Sequence, residues 1–141
     1  MSMIGPARPD DQRLRELLSQ ARTIAVVGLS PKPERDSNRV AAYLQKAGYR
    51  IIPVNPVAPE VLGEKSYPEL TAIPEPVDVV DVFRQSRFVP EIAEQAVKIG
   101  AKVLWLQEGV VHDEAALEAK DAGLEVIQDA CLMVEHRRLM G

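Results

Sequence analysis

A chain of 141 residues, 46% hydrophobic and 27% charged, is long enough to bury one core without metals or disulfides, so a single domain over 1–141 is expected. A net charge of −4 without a basic stripe argues against nucleic acid, and no apolar run is long enough to span a membrane. The N-terminal "MSMIGPARPDDQ" lacks the basic start and apolar stretch of a secretory signal, and the lone Cys131 has no partner for an internal disulfide, which together imply a soluble cytoplasmic protein.

In chain order, Pro9 to Arg22 places Leu14, Leu17, Leu18 and Ala21 at helical spacing after an acidic start, and predicts a leading helix within residues 1–22 that packs on the domain. From Thr23 onward short Val- and Ile-rich runs alternate with helical stretches. The runs "TIAVVG", "YRIIPV", "VDVVDVF", "AKVLWL" and "LEVI" suit strands buried on both faces. The helical stretches Ser37–Ala47, Pro90–Ile99 and Glu114–Ala122 stop at Gly48, Gly100 and Gly123, which suit helix C-caps. Between Val54 and Val77 five prolines leave room for only a turn or two of helix, which makes this a loop-rich crossover. The pattern predicts a Rossmann-like, doubly wound α/β fold with a mainly parallel five-stranded sheet and helices on both faces. Ligands of such sheets bind beyond the carboxyl ends of the strands, at the switch point.

The chemistry should therefore follow each strand. Gly28 ends the first strand, Ser30 adds a hydroxyl, and a helix begins near Asp36 or Ser37, leaving the N–H groups of Ser37, Asn38 and Arg39 to face an anion. Taken alone, this turn fits a phosphate site and an ordinary strand-to-helix connection equally well. Lys32, Arg35 and Arg39 concentrate positive charge on the scale of a small anion. The second strand ends in Asn55 and Pro56, not in the Asp or Glu that holds ribose hydroxyls in nicotinamide-binding folds, and the first turn lacks the later glycines of G-x-G-x-x-G. Asn55 either offers its amide to a base or ribose, with Pro56 as an apolar wall, or simply forms an Asn-Pro turn.

The segments "VVGLSPKPERDSNRVAAYLQKAGYRIIPVNP", "LGEKSYPEL", "PVDVVDVFR", "KVLWLQEGVV" and "DACLMVEHR" together resemble the CoA-binding domain family, whose domain also forms the N-terminal part of the succinyl-CoA synthetase α-subunit. The resemblance spans nearly all of Ala21 to Arg138. It implies that the first turn receives the diphosphate of coenzyme A, that the second strand's end lies beside the adenosine, and that later strand ends line the pantetheine arm. The residues it implicates are Gly28, Ser30, Lys32, Ser37 and Arg39, then Asn55 and Pro56, Phe83 and Arg84, Gln107, Glu108 and Gly109, and Cys131.

The ligase α-subunit carries a phosphorylated histidine in a second domain, and this sequence stops where that domain would begin. The resemblance thus implies a protein without catalytic residues that binds coenzyme A or acyl-CoA as carrier, sensor or regulatory subunit, with a protein partner or a second copy as companion. The alternative is one subunit of an acyl-CoA ligase completed by a separate catalytic chain. No spacing of Cys and His fits a metal, His112 reads as a solvated or capping residue, and His136 as a helix-surface residue. Asp78 and Asp81 fall on opposite faces of a strand and form no pair, and Trp105 reads as core. Cys131 is either a thiol facing the thiol of coenzyme A or a small buried hydrophobe at a helix start.

Overall fold

The computed structural model describes residues 5–141; residues 1–4, the start of the expected leading segment, lie outside them. In chain order the first half contains helix α1 (Asp11–Gln20), strand β1 (Thr23–Val27), helix α2 (Asp36–Lys46), strand β2 (Arg50–Val54), and the short strands β3 (Glu60–Val61) and β4 (Glu64–Lys65). The second half contains strand β5 (Val79–Val82), helix α3 (Val89–Lys98), strand β6 (Val103–Leu106), helix α4 (Asp113–Asp121), strand β7 (Glu125–Ile127) and helix α5 (Leu132–Met140).

Five strands form one sheet in the order β2-β1-β5-β6-β7, every neighbouring pair parallel. Because side chains alternate across a strand, the apolar runs serve two cores at once. Ile24 and Val26 turn to one face, where they join Leu14 of α1, Leu44 of α2, Trp105 and Leu132 of α5. Ala25 and Val27 turn to the other, with Val80, Leu104, Ile92 of α3 and Ala116 of α4. Trp105 is fully buried and its indole N–H donates to the Ala130 carbonyl at 2.9 Å. Asp10 caps α1 by accepting the Arg13 N–H, and α2, α3 and α4 end at glycines with positive φ, as their sequence stops predict.

The crossover after β2 carries more order than its prolines imply. Residues β3 and β4 pair antiparallel, Tyr67 bridges to Val54 at the end of β2, and a 3-10 turn at Leu70–Ala72 seats Leu70 in the core. Each β3–β4 strand has two residues, too few for a periodic pattern, and the hairpin is held by β2 rather than by its own propensity.

Candidate ligand-binding site

The sheet reverses direction of winding between β1 and β5, and the crevice beyond their carboxyl ends is the switch point. Gly28 leaves β1 there at φ +85°, and a Cβ in its place would sit 3.1 Å from the Phe83 carbonyl oxygen and 3.2 Å from Arg84 Cδ. Only glycine allows this backbone to turn while the exit of β5 lies against it. The glycine therefore answers to two constraints, a left-handed turn and a close neighbour.

The loop that follows is tied to the first turn of α2. Ser30 N–H donates to Ser37 Oγ, Asn38 Nδ2 donates to the Ser30 carbonyl, and Ser30 Oγ accepts from Lys32 N–H. The helix starts at Asp36, one of the two starting positions read from sequence. The N–H groups of Asn38 and Arg39, read from sequence as free, both bond to the Arg35 carbonyl. Among the described residues the N–H groups of Asp36 and Ser37 find no hydrogen-bond acceptor, and they are the oriented donors at this end.

Asn55 works on the loop rather than facing outward. Its Nδ2 donates to the Leu29 carbonyl at 3.0 Å, and its Oδ1 accepts the N–H groups of Val57 and Ala58 at 2.8 and 3.1 Å. The side chain thus joins the exits of β1 and β2 and shapes an Asx turn, the second of the two readings open to it from sequence.

Three clefts run along this edge. The widest, about 530 Å³, lies over β1, β2 and β5 between Gly28, Asn55, Pro56, Val57, Leu70, Phe83, Arg84 and Phe88. A second, about 360 Å³, lies over the first turn between Gly28, Ser30, Lys32, Arg35, Asp36 and Ser37. The third, about 220 Å³, lies over β5, β6 and the start of α5, walled by Asp36, Arg39, Val40, Gln107, Glu108, Cys131 and Met133. Phe83 lines all three. The structure thus brings together every residue singled out from sequence except Gly109, which lines none of these clefts. It turns the chain at φ +80° and donates its N–H to Asp129 Oδ1 at 2.7 Å.

Charge around the clefts is unevenly committed. Arg39 pairs with Asp36 and donates to the Glu34 carbonyl, so one of the expected phosphate contacts already has partners. Among the described residues no carboxylate pairs with Lys32, Arg35 or Arg84; the Arg84 guanidinium lies 4.3 Å from the centre of the Phe88 ring. Arg35, Phe88 and the apolar wall of Val57 and Leu70 were not placed in the site from sequence. Arg35 belongs to the cationic cluster visible there, whereas Leu70 reaches the cleft only because the crossover folds back onto the sheet edge.

Beneath the narrow cleft lies a buried polar pair. Asp81 of β5 is 0% exposed and Gln107, just beyond β6, is 4% exposed; the Gln107 side-chain amide hydrogen-bonds Asp81 Oδ1 across 2.6 Å. Asp81 Oδ2 has no partner, and burial pushes the carboxyl up to about 7. Asp78, on the opposite face at the start of β5, instead ties down β1 by accepting the N–H groups of Arg22 and Thr23.

The histidines lie away from the clefts. His112 caps α4, its Nδ1 accepting the Ala115 N–H. His136 is not the free surface residue expected of it: it is half-buried, 2.9 Å from the Tyr43 hydroxyl and edge-on to the rings of Tyr43 and Tyr49, and burial lowers its pKa. Among the described residues no group of His, Cys, Asp and Glu is placed to hold a metal ion, and no helix is long and apolar enough to cross a membrane.

Comparison with known proteins identifies the family. Residues 22–137 match the family described as the CoA binding domain. The uncharacterized protein YneT of Bacillus subtilis is 44% identical over 128 residues, covering 91% of this chain and 95% of YneT. The ADP-forming acetate–CoA ligase I of Archaeoglobus fulgidus is 32% identical over 110 residues, 78% of this chain but 15% of the ligase. Among solved structures, a hypothetical protein from Pyrococcus horikoshii OT3 superposes with a TM-score of 0.91 at 45% identity, covering 98% of this chain and 100% of that one. The chain is similar to these small proteins over nearly their whole length, and to one segment of a much longer ligase. It belongs to the CoA-binding domain family.

Proposed function

We propose that this chain binds coenzyme A or an acyl-CoA along the carboxyl edge of its sheet, and acts as a non-catalytic carrier, sensor or regulatory subunit. The observation that carries the reading is the set of three clefts sharing Phe83, with the glycine turn where the wide cleft meets the one over the first turn, and uncommitted cations beside it. A long ligand with a charged middle suits such an edge. In this reading the diphosphate lies over the first turn, toward the N–H groups of Asp36 and Ser37, where Lys32 and Arg35 add attraction. The adenosine occupies the wide cleft against Pro56 and Val57, and the pantetheine arm runs past Phe83 toward Gln107, Glu108 and Cys131.

The absence of an acidic residue at the end of β2 argues against nicotinamide dinucleotides, because Asn55 has its side chain committed to the loop. Native mass spectrometry and calorimetry test the reading: coenzyme A should bind and NAD should not. Equal or tighter binding of NAD overturns it.

The similarity to a segment of an ADP-forming acetate–CoA ligase supports a second reading, in which the chain supplies the CoA-binding part of an acyl-CoA ligase assembled with another polypeptide. Co-purification of a larger chain, with ligase activity only in the mixture, distinguishes it from the first.

A further inference from the structure

The buried pair under the narrow cleft imposes a proton count. If Asp81 is ionised, a carboxylate enclosed between Val26 and Trp105 has one donor for two oxygens and no cation. The charged groups of the surrounding elements are engaged elsewhere or point outward. On α2, Asp36 and Arg39 pair with each other; on α5, His136 bonds to Tyr43 and Arg138 to Asp11 and Glu135; on α1, Arg13 pairs with Glu16 and Glu125; beyond β6, Glu108 is exposed. A buried, unpaired charge is among the costliest features a fold can hold.

A neutral acid removes that charge, and its proton has one good position. The 2.6 Å separation from the Gln107 amide falls in the range of O–H···O bonds and below that of N–H···O bonds. The two ends of a glutamine amide exchange places by a half-turn of one planar group. With the proton on Oδ1 donated to the glutamine carbonyl oxygen, every hydrogen of the pair is used or solvent-facing, and the one unmatched atom is the acid's carbonyl oxygen, Oδ2. The reverse orientation leaves a buried O–H or a buried charge unsatisfied, which costs more.

We propose that Asp81 is held as the neutral acid below neutral pH and acts as a positioning residue, fixing Gln107 so that its amide N–H donors face the narrow cleft and select a ligand carbonyl oxygen there. The direction in which burial moves the Asp81 carboxyl agrees with this arrangement. Resting on the coenzyme A reading, the proposal assigns the acceptor to a carbonyl of the pantetheine arm or to the thioester carbonyl of an acyl-CoA.

The test has a ligand-free arm and a binding arm. In protein labelled with 13C at aspartate carboxyls, the resonance lost in Asp81→Asn should keep its protonated shift up to near-neutral pH; titration below pH 5 overturns the proposal. In calorimetry with coenzyme A and acetyl-CoA, Gln107→Glu, which offers only acceptors to the cleft, should bind about tenfold more weakly. Asp81→Asn, whose amide still donates to the Gln107 carbonyl, should stay within about threefold of the parent, while Asp81→Ala falls with Gln107→Glu. Gln107→Glu binding as tightly as the parent overturns the donor assignment. A loss confined to acetyl-CoA marks the thioester carbonyl, and an equal loss for both ligands marks the pantetheine arm. If the parent protein binds neither ligand, the coenzyme A reading falls and the ligand half of the proposal with it, while the carboxyl resonance still decides the proton.

Discussion

The wide cleft over β1, β2 and β5 and the narrow one over β5, β6 and the start of α5 share Phe83 and little else. The wide cleft is walled largely by loops, with Val57 at 88% exposure, and among the described residues its cation Arg84 has no acidic partner. In the narrow cleft Arg39 is already paired with Asp36, and the floor is a polar group sealed under the sheet edge. In the proposed reading one end of the edge attracts the ligand and the other discriminates. Long-range charge and apolar shape act through solvent and tolerate mobile walls, whereas a hydrogen-bond donor selects only if a buried partner holds it still.

That contrast yields predictions of decreasing size. The largest belongs to the narrow end. Because the folded Asp81 carboxyl is raised to about 7 from 3.8, the folded chain holds this proton after the unfolded chain has released it. The contribution of this group to stability is therefore full below about pH 4 and is lost as pH rises through 7, by about 4 kcal/mol at the plateau. Urea denaturation across that window should show the decline in the parent and its absence in Asp81→Asn; parallel curves for the two proteins refute the assignment.

Next in size is the glycine turn, where the wide cleft meets the one over the first turn of α2. Gly28→Val needs an unfavourable positive φ and drives a branched side chain into the exit of β5, so coenzyme A binding should fall by at least about 100-fold, or about 3 kcal/mol. Circular dichroism and a thermal melt show whether the fold survives, and Gly28→Ala provides a milder version with the same sign. A folded Gly28→Val with normal affinity separates the turn from the site.

At the wide end, Arg84→Ala should weaken coenzyme A binding about five- to tenfold at low salt, and less as salt rises, since a half-buried cation still open to solvent acts through a partly screened field. Arg39→Ala should cost about twofold, because its guanidinium has partners before any ligand arrives. The reverse ranking moves the phosphates toward the narrow cleft. The smallest effect concerns Cys131. It lines the narrow cleft half-buried at the start of α5, and bound coenzyme A should slow its alkylation by iodoacetamide several-fold. An unchanged rate places the thiol end of the ligand elsewhere.

The sheet and its helices were legible residue by residue. Runs such as Ile24–Val27 and Val103–Leu106 admit little besides strands buried on both faces, and Gly48, Gly100 and Gly123 each lie two residues past the last residue of a helix. The location of the candidate site followed from the same reading, since a parallel sheet collects its strand exits at one edge. What individual side chains do at that edge was less legible. Asn55 faces the loop, Arg39 a neighbouring carboxylate and Gly109 a turn outside the clefts, because short-range partners such as Asp36 and Asp129 compete for the same donors.

The sequence alone determined the alternation of the main strands and helices, the parallel sheet, the two apolar faces and the edge at which a ligand is proposed to bind, because these depend on local periodicity and on rules of chain connection. The tertiary structure alone decided how Asp81 and Gln107 meet, how Leu70 reaches the wide cleft, and why Gly28 must remain glycine. Each of these turns on a distance between segments far apart in the chain, such as the 26 residues between Asp81 and Gln107, and local pattern carries no information about such a distance.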